Sequence, residues 1–110
     1  MPATDIVVYT GTAPTNWSLL DLSGVVGKRR AAVMLNISNG SDNMVSYTFR
    51  MPGSDWSVGD YPTSYGANVC VVPSGESCTA WVTTDDIGRS EWIASDGASD
   101  QVLSVYAWLS

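Results

Sequence analysis

The chain has 110 residues, 45% of them hydrophobic and 15% charged, with a net charge of −6 and no histidine. This is enough apolar material for one domain with a single core, and far from a disordered composition. The acidic balance argues against nucleic acid, whose phosphates need an extended basic surface, and the missing histidine removes Ser-His-Asp and Cys-His catalysis and most catalytic metal sites.

No apolar run approaches the ~20 residues that span a bilayer, so no membrane is expected as a partner. Met1-Pro-Ala-Thr-Asp lacks the basic start and apolar segment of a secretory signal. Synthesis and folding in the cytosol are therefore expected, which is compatible with later release as part of a particle. Val, Thr, Ser, Trp, Tyr and Gly are plentiful and good helix formers scarce, a balance that favours strands joined by short turns.

In chain order, Asp5–Thr10 is a short β-rich run ended by Gly11 and Pro14. Residues Trp17–Ser23 fit either a strand or one amphipathic turn, and Gly24–Gly27 with the basic triplet Lys28-Arg29-Arg30 reads as a loop. Arg30–Ser38 is the clearest strand, with Val33, Leu35 and Ile37 on one face. Asn39-Gly40-Ser41-Asp42-Asn43 reads as a hairpin loop in which Asn-Gly supplies positive φ. Met44–Arg50 then returns with Val45, Tyr47 and Phe49 on one face. Met51–Asn68 is broken by Pro52, Gly53, Gly59, Pro62 and Gly66 and carries Trp56, Tyr61 and Tyr65; an irregular segment of this length in a small domain is usually functional or packed across a sheet edge.

Four further strands follow at Ala67–Val72, Ser77–Thr84, Ser90–Ser95 and Gln101–Leu109. The last three, separated by polar Asp/Gly/Ser turns, read as a β-meander. About seven or eight strands in one domain, 1–110, predict an all-β, two-sheet antiparallel sandwich of Greek-key or jelly-roll type. Cys70 and Cys78 flank Pro73-Ser74-Gly75-Glu76; if that is a hairpin the thiols lie close, but cytosolic synthesis favours free, partly buried thiols over a disulfide.

Chemistry is thinly represented. Asp55, Asp60, Asp85, Asp86 and Glu91 could in principle supply a carboxylate pair, yet each lies beside a turn, where solvated carboxylates are ordinary. Asp85-Asp86-Ile87-Gly88 with Glu91 lacks the spacing of an EF-hand loop and reads as a turn with hydrogen-bonding Asp side chains. The sequence therefore predicts no catalytic residue, no metal site and no cofactor. Trp56, Tyr61 and Tyr65, near two aspartates, are material for either a sugar-stacking surface or burial against a neighbouring subunit. In the final strand Ser104, Tyr106 and Trp108 alternate with Leu103, Val105, Ala107 and Leu109, so apolar side chains occupy both faces. Such a strand is central in its domain or covered by another chain, which points to an oligomer. Lys28, Arg29 and Arg30 form the single basic cluster, either a solvated turn or a docking point for an acidic partner.

Gly27-Lys-Arg-Arg-Ala-Ala-Val-Met-Leu-Asn-Ile-Ser leading into Tyr47-Thr-Phe, Ala80-Trp-Val-Thr-Thr-Asp-Asp with Glu91-Trp, and the closing Val105-Tyr-Ala-Trp-Leu together resemble small β-sandwich virion proteins of tailed bacteriophages, of the capsid decoration (cement) type. The resemblance covers about two thirds of the chain. It implies a non-enzymatic structural protein, made in the host cytoplasm and located in the virion. Such a protein self-associates, often as a trimer, and binds the major capsid protein where subunits meet. The interface candidates are Lys28, Arg29, Arg30, Trp56, Tyr61, Tyr65, Tyr106 and Trp108. A carbohydrate- or receptor-binding module, with a glycan as ligand, is the alternative from the same residues. A tail or baseplate component is a third.

Overall fold

A computed structural model describes residues 3–52 and 68–109. The described residues form eight strands: β1 (Ala3–Gly11), β2 (Ser18–Asp21), β3 (Ala32–Asn39), β4 (Val45–Arg50), β5 (Asn68–Val72), β6 (Ser77–Thr83), β7 (Arg89–Ala94) and β8 (Gln101–Leu109). A single helical turn, α1 (Ser23–Val26), follows β2. The segment expected to be a loop over Gly24–Gly27 is thus mostly this turn, which the Asp21 carboxylate starts by accepting the Ser23 amide at 2.9 Å.

Two four-stranded sheets result, one in the order β1-β8-β3-β6 (sheet A) and the other β2-β7-β4-β5 (sheet B). Every ladder is antiparallel, and β1 pairs with β8, β2 with β7, β3 with β6 and β4 with β5. The chain is therefore one long nested hairpin, rolled so that β8 also meets β3 and β7 meets β4. That is the eight-strand jelly roll, within the fold class expected from the sequence.

The nesting corrects three local expectations. β3 and β4 are not a hairpin: Val33, Leu35 and Ile37 of β3 and Val45, Tyr47 and Phe49 of β4 are all buried, each row facing the core from its own sheet. Residues 40–44 carry the chain across the ~10 Å between sheets. Gly40 is needed there for space, since a Cβ would sit 2.6 Å from the Asp100 carbonyl oxygen, and it does not take positive φ. Likewise β6, β7 and β8 are not a meander, because β7 lies in the opposite sheet from its sequence neighbours. Finally, Pro73–Glu76 turns between sheets. Cys70 on β5 and Cys78 on β6 are joined as a disulfide, not left as free thiols. The bond ties the outer strand of one sheet to the outer strand of the other.

Trp92 is the centre of the core. Its ring stacks at 6.1 Å on Phe49 and 6.4 Å on Tyr47, and Tyr9 meets it edge-on at 5.0 Å. One corner is polar and buried. The Tyr47 hydroxyl donates to Gln101 Oε1, and Gln101 Nε2 donates to Asn39 Oδ1 at 2.9 Å. Asn39 Nδ2 in turn donates to the carbonyls of Asn43 at 2.7 Å and Val72 at 2.9 Å. This network draws strand ends of both sheets together and leaves none of its own side-chain groups unpaired, as burial requires.

Candidate interaction surface

The two outer faces of the sandwich differ sharply in charge. Strands β3, β6 and β8 of sheet A contain no charged residue at all, whereas sheet B carries Asp21, Arg50, Arg89 and Glu91. Three of these four charges are held in ion pairs, and Asp21 accepts the Ser23 amide. Arg50 pairs with Glu91 at 2.8 Å, with both side chains largely buried, and its guanidinium lies 3.8 Å over the Trp17 ring. Arg89 pairs with Asp85 at 3.0 Å.

Alternation along each strand builds the outer face of sheet A. Ala32, Met34, Asn36 and Ser38 of β3 lie opposite Thr83, Trp81, Thr79 and Ser77 of β6 in register. On the other side they meet Leu109, Ala107, Ser104 and Val102 of β8. Trp81 is 42% exposed, and Val7 on β1 and Leu109 at the end of β8 are about half exposed. Ser104 and Ala107 are buried although they belong to this face, because they are the small residues among larger neighbours. Over β3, β6 and β8 the face is uncharged and mixed, with apolar side chains set among Ser, Thr and Asn, and Asp5 lies on the neighbouring β1.

The sequence-derived candidates fare differently. A register shift in β8 between the partners of Met34 and Leu35 makes Tyr106 an extra, bulged residue. Tyr106 is partly buried, and beyond it the alternation is inverted. Trp108 consequently lies opposite the buried Val33 and packs against the core, which corrects its placement beside Tyr106 on one face. Ala107 and Leu109 take the outward positions instead. Trp56, Tyr61 and Tyr65 lie outside the described residues.

Lys28, Arg29 and Arg30 are all exposed. Their turn is held from below by Thr84, whose hydroxyl accepts the Ala31 amide and donates to the Arg29 carbonyl, both at 2.8 Å. Arg30 pairs with Asp86 and rims a shallow apolar cleft of about 270 Å³, lined also by Ala31, Ala32, Met51, Thr83 and Leu109. In the adjoining turn burial pushes the Asp85 carboxyl upward, but the Arg89 and Ile87 amides and the Arg89 guanidinium outweigh it and hold the group below the usual carboxylate range. Among the described residues no group of Cys, Asp or Glu is placed to hold a metal ion.

Sequence reasoning missed the exposure of Trp81. The signal was available: Thr79 and Thr83 flank it at the same parity, while Ala80 and Val82 hold the inward positions. Comparison with protein-family models, curated proteins and solved structures finds no match for this chain.

Proposed function

We propose that this chain is a non-enzymatic structural protein of a virion, a capsid decoration protein that self-associates, with a trimer favoured, and stabilises the shell by binding the major capsid protein. The observation that carries the self-associating part is the uncharged outer surface over β3, β6 and β8 of sheet A in a chain of net charge −6. Copies of so acidic a protein repel each other, and a face without charge is where they meet at least cost. The molecule measures 34 × 30 × 18 Å, so a broad face is of the order of the ~800 Å² per partner that a standard interface buries. Jelly rolls serve in viral capsids and in lectins, which is compatible with the proposal but is an argument from fold alone. The virion location rests on the sequence resemblance. A protein that binds the assembled shell and not its free subunits shifts the equilibrium toward the intact shell by mass action.

Antibody labelling of particles purified from the producing culture tests this reading. Label distributed over the heads is expected; label confined to tails supports the baseplate alternative, and unlabelled particles overturn a virion role. A second reading has one observation in its favour. The exposed Trp81 ring lies among Asn36, Thr79 and Thr83, a stacking platform with hydroxyl and amide groups at its border, as sugar recognition requires. Glycan-array binding that vanishes in Trp81→Ala would favour it.

A further inference from the structure

Among the described residues the two sheets leave four edge strands, β1, β6, β2 and β5, each with a row of backbone N–H and C=O groups open to pairing. Three of them are guarded. β1 carries Asp5, and its ladder with β8 is broken by register shifts between Ala3 and Ile6 and between Val7 and Tyr9. β2 has 4 residues and ends on Asp21. β5 has 5 residues and runs into Pro73. β6 is different. Its 7 residues contain no charge, no proline and no glycine, and they pair with β3 without a register shift. β5 is tied to β6 by the Cys70–Cys78 bond but belongs to the other sheet and forms no ladder with it.

The bonds at the two ends of the β3–β6 ladder determine which backbone groups point outward. The Asn39 amide donates to the Glu76 carbonyl at 2.9 Å, and the Thr84 amide donates to the Ala31 carbonyl at 3.0 Å. In an antiparallel ladder, pairs that exchange bonds alternate with pairs that do not. The register is unshifted between these two bonds, so Cys78, Ala80 and Val82 spend their N–H and C=O groups on β3. Ser77, Thr79, Trp81 and Thr83 therefore aim theirs away from β3, and these are the exposed residues of the strand. Among the described residues no backbone bond reaches those outward groups.

We infer that β6 pairs antiparallel with β6 of a second copy of this chain across a two-fold axis, joining the two A sheets into one continuous sheet. The strand itself selects this partner. An axis beside Ala80 sets Ser77 opposite Thr83 and Thr79 opposite Trp81, so each outward N–H and C=O meets its complement on the other copy. The second copy brings no charge to that line, in a chain whose net charge of −6 otherwise drives copies apart. At the axis Ala80 meets Ala80, and their small side chains suit the close approach of a pair that exchanges no bonds. On the outer face the two Trp81 side chains lie diagonally across the axis, within reach of each other. The contact uses the edge of sheet A and not its face, closes at two copies, and does not depend on the virion reading.

Amide exchange followed residue by residue, with sedimentation for mass, tests it at about 0.01 mM and about 1 mM protein, a range suited to a contact one strand wide. Between the two samples the mass should rise to that of a dimer. The amides of Ser77, Thr79, Trp81 and Thr83 should then exchange about tenfold more slowly, while those of Ala80 and Val82, already bonded to β3, change little. Thr79→Pro removes an outward N–H and none that β3 uses, so it should keep the melting temperature nearly unchanged and lose the dimer. A second pair of variants decides the matter even if that proline prevents folding. S77K/T83K sets lysine opposite lysine and should weaken pairing about tenfold although it lowers the net negative charge, whereas S77K/T83E sets lysine opposite glutamate and should pair at least as well as the wild type. A wild type that stays monomeric at the higher concentration overturns the inference. So does an assembly whose edge amides keep the dilute rate, since its copies then meet elsewhere. A folded Thr79→Pro that still dimerises, or equal pairing by the two lysine variants, overturns it as well.

Discussion

Tyr47 shows how much one side chain can hold. It packs its ring on Trp92 and spends its hydroxyl on Gln101, inside a corner from which water is excluded. Desolvation, helped by the nearby Asp96 carboxylate, pushes its pKa up to about 12 from an ordinary 10.0. A raised pKa means that the fold keeps the phenol protonated. The stabilisation is complete below pH 10 and is lost as pH rises through about 12. Ultraviolet titration should therefore show one tyrosine ionising late, with stability falling across that window. Tyr47→Phe should remove the late titration and cost about 1–3 kcal/mol in denaturant unfolding, because it leaves Gln101 Oε1 buried without a donor. The burial of Tyr47 was legible from alternation with Val45 and Phe49. The role of Asn39 was not: Asn-Gly is the commonest hairpin signal, and only the folded chain shows its amide serving Asn43 and Val72 across the corner.

At the scale of elements, the sequence located nearly every strand and few of its partners. Alternation tells which side chains of a strand are buried, but the same row of Val, Leu and Ile is buried equally well beside a neighbour or across a core. Partner choice was decided by pairings as distant as Ala3 with Ala107, which no local window contains. The bulge at Tyr106 was hidden for a similar reason. An extra residue is visible only once β3 supplies the ruler, and it reversed the side assigned to Trp108. The Cys70–Cys78 bond belongs to this scale as well, since it fastens two outer strands of different sheets. It encloses few residues, so the loop-closure model gives it about 2–3 kcal/mol. Cys70→Ser/Cys78→Ser should lower the denaturant midpoint accordingly, and a thiol assay of the unfolded, unreduced wild type should find none free. Gly88 makes a second test of element contacts. It has φ of +83°, and a Cβ there would lie 2.4 Å from the Gly27 carbonyl, so Gly88→Ala should separate α1 from the β6–β7 turn and cost more than the ~1 kcal/mol of a generic loop glycine change.

For the molecule as a whole, the sandwich and its strand number followed from composition and turn spacing, and the acidic balance was evident at once. The division of that charge was not, because it depends on which strands share a sheet. Sheet A gathers three uncharged strands that are scattered through the chain. If the uncharged face is the self-association surface, Trp81→Ser with Met34→Ser should lower the native mass measured by light scattering while leaving the melting temperature nearly unchanged. An unaltered mass would move the contact elsewhere.

The nesting of the strands also governs how the molecule bears load. Ala3 and Ala107 are ladder partners, so the two ends of the described chain leave side by side from the same end of the sandwich. A force applied through those ends would open β1 from β8 one hydrogen bond at a time, like a zipper, and little tension is needed for that. The same bonds sheared along the strands, with β1 and β8 drawn from opposite ends, would have to break together. A molecule so built resists shear along its strands and yields when drawn apart by its two neighbouring ends.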